Sequence, residues 1–82
     1  MNKNNVEQLS SEAVELGLFL LAGGFNQAQG FAATDRIEAI CKIIGGSPRE
    51  LLSNCEQILA SRQIINLRIT APIRTIISEV SN

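Results

Sequence analysis

Residues 72–80 read PIRTIISEV, and this short stretch decides the fold class. Its apolar side chains follow the spacing i, i+3, i+4, i+7, which places them on one stripe of an α-helix. The stripe consists of Ile73, Ile76, Ile77 and Val80. Pro72 stands just ahead of it, where a missing backbone N–H is tolerated at the start of a helix. The spacing predicts a last helix from about Ala71 to Val80.

The segment before this helix predicts another one. Ser47-Pro48-Arg49-Glu50 has the residues of a capping box, with proline at the first helical position. The apolar positions that follow predict a helix from Pro48 to about Arg62. Residues 63–70 stay open between continued helix and a short extended segment.

Two further helical stretches lie towards the N-terminus. Ser10 or Ser11 can cap the first, which Gly23-Gly24 would end. Its predicted stripe is Val14, Leu18 and Leu21. The second stretch covers 25–44 and ends at Gly45-Gly46. Asp35 with Glu38 resembles a capping pair, so 25–44 is interpreted as one helix or as two separated near Thr34.

The sequence as a whole predicts an all-α fold, a small bundle of four or five helices joined by tight Gly/Pro turns. Residues 1–9 are expected to be a flexible polar N-terminus and residues 10–82 a single helical domain. Gly23-Gly24, Gly30 and Gly45-Gly46 are interpreted as helix stops or turns. A core of this size rarely supplies more than about 3–5 kcal/mol of net stability, so either the helices pack very well or a partner buries the remaining apolar surface.

Charge and cysteine content narrow the function classes. The formal net charge is −1, with an acidic excess near the N-terminus and a basic excess after residue 57, a polarity that could help two chains meet head to tail. Cys41 and Cys55 are expected to be buried, reduced thiols, which suits the cytoplasm. The longest apolar run is far shorter than a membrane helix requires, so no membrane association is expected.

The usual groups of an active site are missing from the sequence. There is no His, and the eight carboxylates are scattered singly. Neither cysteine has an activating neighbour, and no glycine-rich phosphate loop is present. We therefore expect no catalysis, no metal, no cofactor and no small-molecule substrate.

A helix-turn-helix over residues 35–62 is the alternative interpretation. Helix, short glycine turn and helix follow one another there, and the second helix would offer Arg49, Ser53 and Asn54 to DNA. Two Lys and five Arg in an acidic chain are few for binding phosphates, so nucleic acid is the disfavoured partner.

Two short stretches resemble known families without identifying one. Leu16-Gly17 followed by Gly23-Gly24-Phe25 is similar to the helical hairpin of a tetratricopeptide repeat. Gly23-Gly24 with Ala33-Thr34-Asp35 is similar to the early helices of phycobiliproteins, and the cysteine context that would attach a bilin does not follow.

The main hypothesis is a non-enzymatic protein–protein interaction module in the cytoplasm, a small helical adaptor, chaperone-like or inhibitory protein. It would act through apolar helix faces, on a protein partner, on itself in a homo-oligomer, or on both. Large apolar side chains are expected to anchor the interface. The predicted interface residues are Leu18, Phe19, Phe25, Ile73, Ile76 and Ile77.

Overall fold

Four α-helices make up the fold in the computed structural model, which describes residues 3–45 and 48–81. The helices are α1 (Lys3–Ala22), α2 (Gln27–Ile44), α3 (Pro48–Ser61) and α4 (Leu67–Ser81). The described residues contain no strand, so the predicted all-α class is confirmed. Helix α3 begins at Pro48 as predicted, while the capping box expected at Ser47 lies outside the described residues.

Helix α1 begins well before the predicted position. Its first residue is Lys3, so the start expected at Ser10 or Ser11 was wrong, and the helix includes most of the stretch 1–9 expected to be flexible. Ser10 is fully buried inside the helix. Serine is common at helix caps, but here the small Ser10 side chain lets another helix pack closely against α1.

Helix α2 is continuous, which resolves the choice between one helix and two. The cap lies at its start, where Asn26 Oδ1 accepts from the Gln29 backbone N–H at 2.8 Å. In return, the Gln29 side chain accepts from the Asn26 N–H at 3.0 Å, which completes a capping box. At the suspected break, the Thr34 hydroxyl donates to the Phe31 carbonyl, and the helix runs on without interruption.

The turn after α3 contains neither glycine nor proline, unlike the tight Gly/Pro joints expected from the sequence. The Gln63 N–H donates to the Ala60 carbonyl and the Ile64 N–H to the Leu59 carbonyl, both at 2.9 Å. This pair of bonds is a Schellman motif, and Gln63 takes its left-handed position at φ 61°. Residues 64–66 then have no regular structure, while residues 67–70 are helical.

Helix α4 also starts earlier than predicted. Asn66 is its cap, with Oδ1 accepting from the Arg68 N–H at 2.9 Å. Pro72 therefore lies inside the helix and does not open it. The misplaced start came from giving the proline more weight than the asparagine, although both residues are typical of helix beginnings.

The core is built around a stripe of small side chains on α1. Ser10, Ala13, Val14 and Gly17 are buried, at the spacing i, i+3, i+4, i+7. A Cβ atom added at Gly17 would lie 3.3 Å from Ile73 Cγ2, which shows how closely α4 approaches. Of the predicted stripe, Val14 is buried, Leu18 is half-buried against the core, and Leu21 is exposed.

The other three helices supply the larger core side chains. Fully or almost fully buried around the α1 stripe are Ile37, Ile40, Cys41, Leu51, Cys55, Leu59, Ile73 and Ile77. Both cysteines are free and buried as expected. The Cys55 thiol donates to the Ser10 carbonyl at 3.8 Å, so α1 and α3 also approach closely at this level.

Replacement of Gln63 tests the Schellman turn. Gln63→Gly should raise the free energy of unfolding by about 1 kcal/mol, because glycine takes the left-handed conformation without the steric cost of a Cβ atom. Urea denaturation measures the change. Gln57→Gly, on the exposed side of α3, is the control and should lower stability by about 1 kcal/mol. Equal losses in the two variants would contradict the assigned turn.

Candidate interaction surface

Contacts between helices fix which helix ends lie together. Cys55 contacts Ser10, and Arg62 pairs with Glu15, so α3 runs parallel to α1. Helix α2 returns after the four-residue connection 23–26, and α4 returns alongside α3. The C-termini of α1 and α3 and the N-termini of α2 and α4 therefore share one end of the bundle.

Large exposed apolar side chains are concentrated at this end. Six such residues occur in the described chain, and five of them belong to the helix ends just identified. We call this surface the apolar end, and its residues are Phe19, Leu21, Phe31, Ile65 and Leu67. Ile65 is 80 % exposed, Leu67 74 % and Phe31 61 %. The sixth, Ile43, lies near the C-terminus of α2, at the opposite end.

An aromatic pair braces the apolar end. Phe25, in the α1–α2 connection, stacks on Phe19 with ring centroids 5.1 Å apart and an interplanar angle of 29°. Gly30 makes room on the other side, since a Cβ atom there would lie 2.9 Å from Phe25 Cε2. Gly30 is inside α2 and is not a helix stop, which corrects the interpretation made from the sequence.

The chain around the apolar end is free of charge. Residues 16–34 contain no Asp, Glu, Lys or Arg, and residues 63–67 contain none either. Asp35 and Arg68 follow directly after these two stretches. Both side chains are exposed, and neither forms a salt bridge within the described residues. Depletion of charge is typical of the centre of a protein interface, with charged residues at its rim.

Most other charges pair within the chain. Arg36 donates two hydrogen bonds to Glu12, at 2.5 and 2.9 Å, and Arg62 donates to Glu15. Arg74 pairs with Glu56 at 2.7 Å. Within the described residues, only the Arg62–Glu15 pair joins the acidic N-terminal part of the chain to its basic C-terminal part. Few unpaired charges therefore remain for the head-to-tail attraction between two chains that the sequence suggested.

The structure separates the six predicted interface residues into two groups. Ile73 and Ile77 are fully buried in the chain's own core and offer no surface to a partner, so their assignment to the interface is corrected. Leu18, Phe25 and Ile76 are half-buried, and Phe19 is exposed. The correction follows from Gly17, whose missing side chain lets Ile73 pack directly on α1.

Sequence reasoning missed most of the apolar end. Leu21, Phe31, Ile65 and Leu67 were not among the predicted interface residues. The sequence did contain an indication of this surface, because the uncharged stretches 16–34 and 63–67 supply these residues. Their meeting at one end depends on the helix directions, which periodicity does not give.

The residues of the DNA-binding alternative lie on α3. Arg49 and Ser53 are exposed, and Asn54 is half-buried beside Val6. Arg49 is followed by Glu50, and the other unpaired arginine, Arg68, lies near the opposite end of the bundle. The described cations thus form no continuous basic surface over residues 35–62.

A groove with a volume of about 460 Å³ runs between the N-terminal half of α1 and α3. Serines and side-chain amides line most of it, and its charged lining residues are Glu7 and Arg62. Ser10 also lines it, and the buried Ser10 hydroxyl has no hydrogen-bond partner within the part of the chain that the structure describes. That hydroxyl is enclosed between α1 and α3, so it marks the close packing of the helices.

Three further features concern the Cys55 thiol, possible metal ligands and the length of the helices. Burial, with a smaller effect of the Glu56 charge, raises the pKa of the Cys55 thiol to about 12, so the thiolate that would act as a nucleophile is not populated at neutral pH. Within 3–45 and 48–81, no three acidic or cysteine side chains converge in a way that would hold a metal ion. None of the helices described has the length and apolarity needed to cross a membrane.

Comparison with known proteins gave no relative, since no family model, curated protein or solved structure was found to match the chain.

Core and surface roles can be separated by two substitutions. Ile73→Ala should lower the free energy of unfolding by about 2–5 kcal/mol, because it leaves a cavity against Gly17. Ile65→Ala, at a highly exposed position, should change it by no more than about 0.5 kcal/mol. Thermal and urea unfolding of both variants measure this. If Ile73→Ala were as stable as the wild type, the assignment of Ile73 to the core would be contradicted.

The Glu12–Arg36 pair predicts a pH effect. Its hydrogen bonds from Arg36 lower the pKa of the Glu12 carboxyl, so the pair stabilises the fold above the unfolded-state pKa, and this contribution is lost as pH falls through the folded-state pKa. Glu12→Gln should have a lower free energy of unfolding than the wild type at pH 7. This difference between the two proteins should disappear at acidic pH. The control is Asp35→Asn, which removes a carboxylate without a salt bridge. A gap independent of pH would contradict the pairing.

Proposed function

We propose that this protein is a non-enzymatic protein–protein interaction module of the cytoplasm, a small helical adaptor, chaperone-like or inhibitory protein. Its binding surface is the apolar end, and the partner is another protein or a second copy of the chain. The single observation that carries the proposal is the gathering of five large exposed apolar side chains at one charge-free end of the bundle.

The size of the apolar end favours binding over chance exposure. Its five side chains together expose an area on the order of 500 Å², which is comparable with the largest apolar patch on a typical monomer, and such patches are often functional. Single exposed apolar residues are normal on any surface, as Ile43 illustrates. Five exposed apolar side chains at one end of the bundle instead favour a partner that binds there.

The braced geometry also suits binding. Phe25 is held between Phe19 and Gly30, so the connection 23–26 is anchored to both helices that it joins. A surface that is ordered before binding loses less conformational entropy when a partner arrives. Aromatic anchors of this kind commonly dominate binding energy.

The absence of catalysis in the proposal has positive support. Both thiols are buried, Cys55 is held protonated, and three of the arginines are committed to carboxylates on neighbouring helices. The proposal therefore includes no cofactor, metal or small-molecule substrate. No specific observation favours the helix-turn-helix alternative with Arg49, Ser53 and Asn54.

A photocrosslinking experiment in the producing cells tests the proposed surface. Phe31 is replaced by the photoreactive p-benzoyl-phenylalanine, and the same replacement is made at Ile43 as the matched control on α2. Irradiation should give a covalent protein adduct from position 31 and much less from position 43. Mass spectrometry of the adduct identifies the partner as a second copy or as another protein.

A second substitution makes the result specific. Leu67→Glu, combined with the photoreactive group at position 31, should abolish the adduct because it places a charge on the same apolar end. Equal crosslinking from positions 31 and 43, or none from either, would refute the proposed surface.

A further inference from the structure

We propose that the apolar end is covered by the same apolar end of a second copy, in a twofold-symmetric pair. This inference rests on the proposed function and chooses between its two kinds of partner. A twofold interface uses the same surface on both subunits, so the surface must be complementary to itself. Three properties of this end meet that requirement.

The first property is the lack of charge. A charged partner would have to desolvate its ions against side chains that offer them no counter-charge, which is costly. The identical end of a second copy brings no charge into the centre of the contact, because residues 16–34 and 63–67 have none. Its apolar surface is removed from water on both sides at once.

The second property is area. Two such ends would bury on the order of 1,000 Å² from their large apolar side chains alone, close to the lower limit of a specific interface. The polar residues between them on the same helix ends, such as Gln27 and Asn66, are exposed and would add to it. The pair therefore reaches the size of a weak to standard protein interface.

The third property is the charge arrangement at the rim. Asp35 lies one helical turn after Phe31 on the same side of α2, since the two are separated by four residues. Arg68 directly follows Leu67 at the start of α4. Each copy thus carries an acid one helical turn from Phe31 and a cation next in sequence to Leu67, and neither forms a salt bridge within the described residues.

A twofold pair can satisfy these two charges reciprocally. If Phe31 of one copy packs on Leu67 of the other, Asp35 of the first is brought towards Arg68 of the second, and symmetry forms the pair twice. Rim charges of this kind set the orientation of partners more than they add affinity. The inferred register is therefore Phe31 with Leu67 and Asp35 with Arg68.

Sedimentation velocity of the purified full chain, from micromolar to millimolar concentration, tests the pair. The wild type should form a dimer that dissociates on dilution. Phe31→Glu should weaken the dimer by roughly a hundredfold or more, because a carboxylate enters the apolar centre. Ile43→Glu, a matched change at the opposite end, should leave it intact. Circular dichroism confirms that both variants are folded.

Charge reversal tests the register. Asp35→Arg should weaken the dimer roughly tenfold by placing two cations together at each rim. The double variant Asp35→Arg with Arg68→Asp should restore wild-type dimerisation, a rescue that a purely structural role for Asp35 would not produce. Arg49→Asp, at the other end, is the control and should have no effect.

Three results would overturn the inference. A wild-type chain that stays monomeric at millimolar concentration has no self-interface, and a crosslink from position 31 to another protein would then leave the proposed function standing. A dimer that survives Phe31→Glu is formed elsewhere. A dimer lost in Asp35→Arg and not recovered in the double variant is paired in a different register.

Discussion

The close approach of α1 to its neighbours is the constraint on which the rest of the structure depends. Ser10, Ala13, Val14 and Gly17 give this helix a buried side with little bulk, and Ile73 and Cys55 reach its backbone there. Because close-packed interiors leave few voids, small residues on one helix require large ones on the others. That is why the branched residues of α2, α3 and α4 form the core of the bundle.

The same constraint accounts for the part of the apolar end that lies on α1. With its core-facing side occupied by small residues, α1 carries its bulk on other sides, and beyond Gly17 these side chains reach the end of the bundle. Leu18 and Leu20 still pack against the core, while Phe19 and Leu21 remain exposed. The exposure of Phe19 and Leu21 therefore follows from how α1 packs.

Sequence patterns predicted where the helices lie better than which side of each helix is buried. The stripe of α4, the start of α3 and the burial of both cysteines could be read from spacing and end signals, because these are local. The buried side of α1 could not, since ranking residues by hydrophobicity favours Leu18 and Leu21 over Gly17. Assigning Ile73 and Ile77 to an interface failed for a related reason: the apolar stripe of α4 does not show that Gly17 leaves room for Ile73 to pack on α1.

Stability and association are coupled in a chain of this length. A small core gives a narrow margin of folding free energy, and the internal Pro72 of α4 reduces it further. A partner that binds only the folded chain adds stability by mass action. In the dimer that we propose, most of this gain would come from the uncharged apolar end, because most of the charges of that region already pair within the chain.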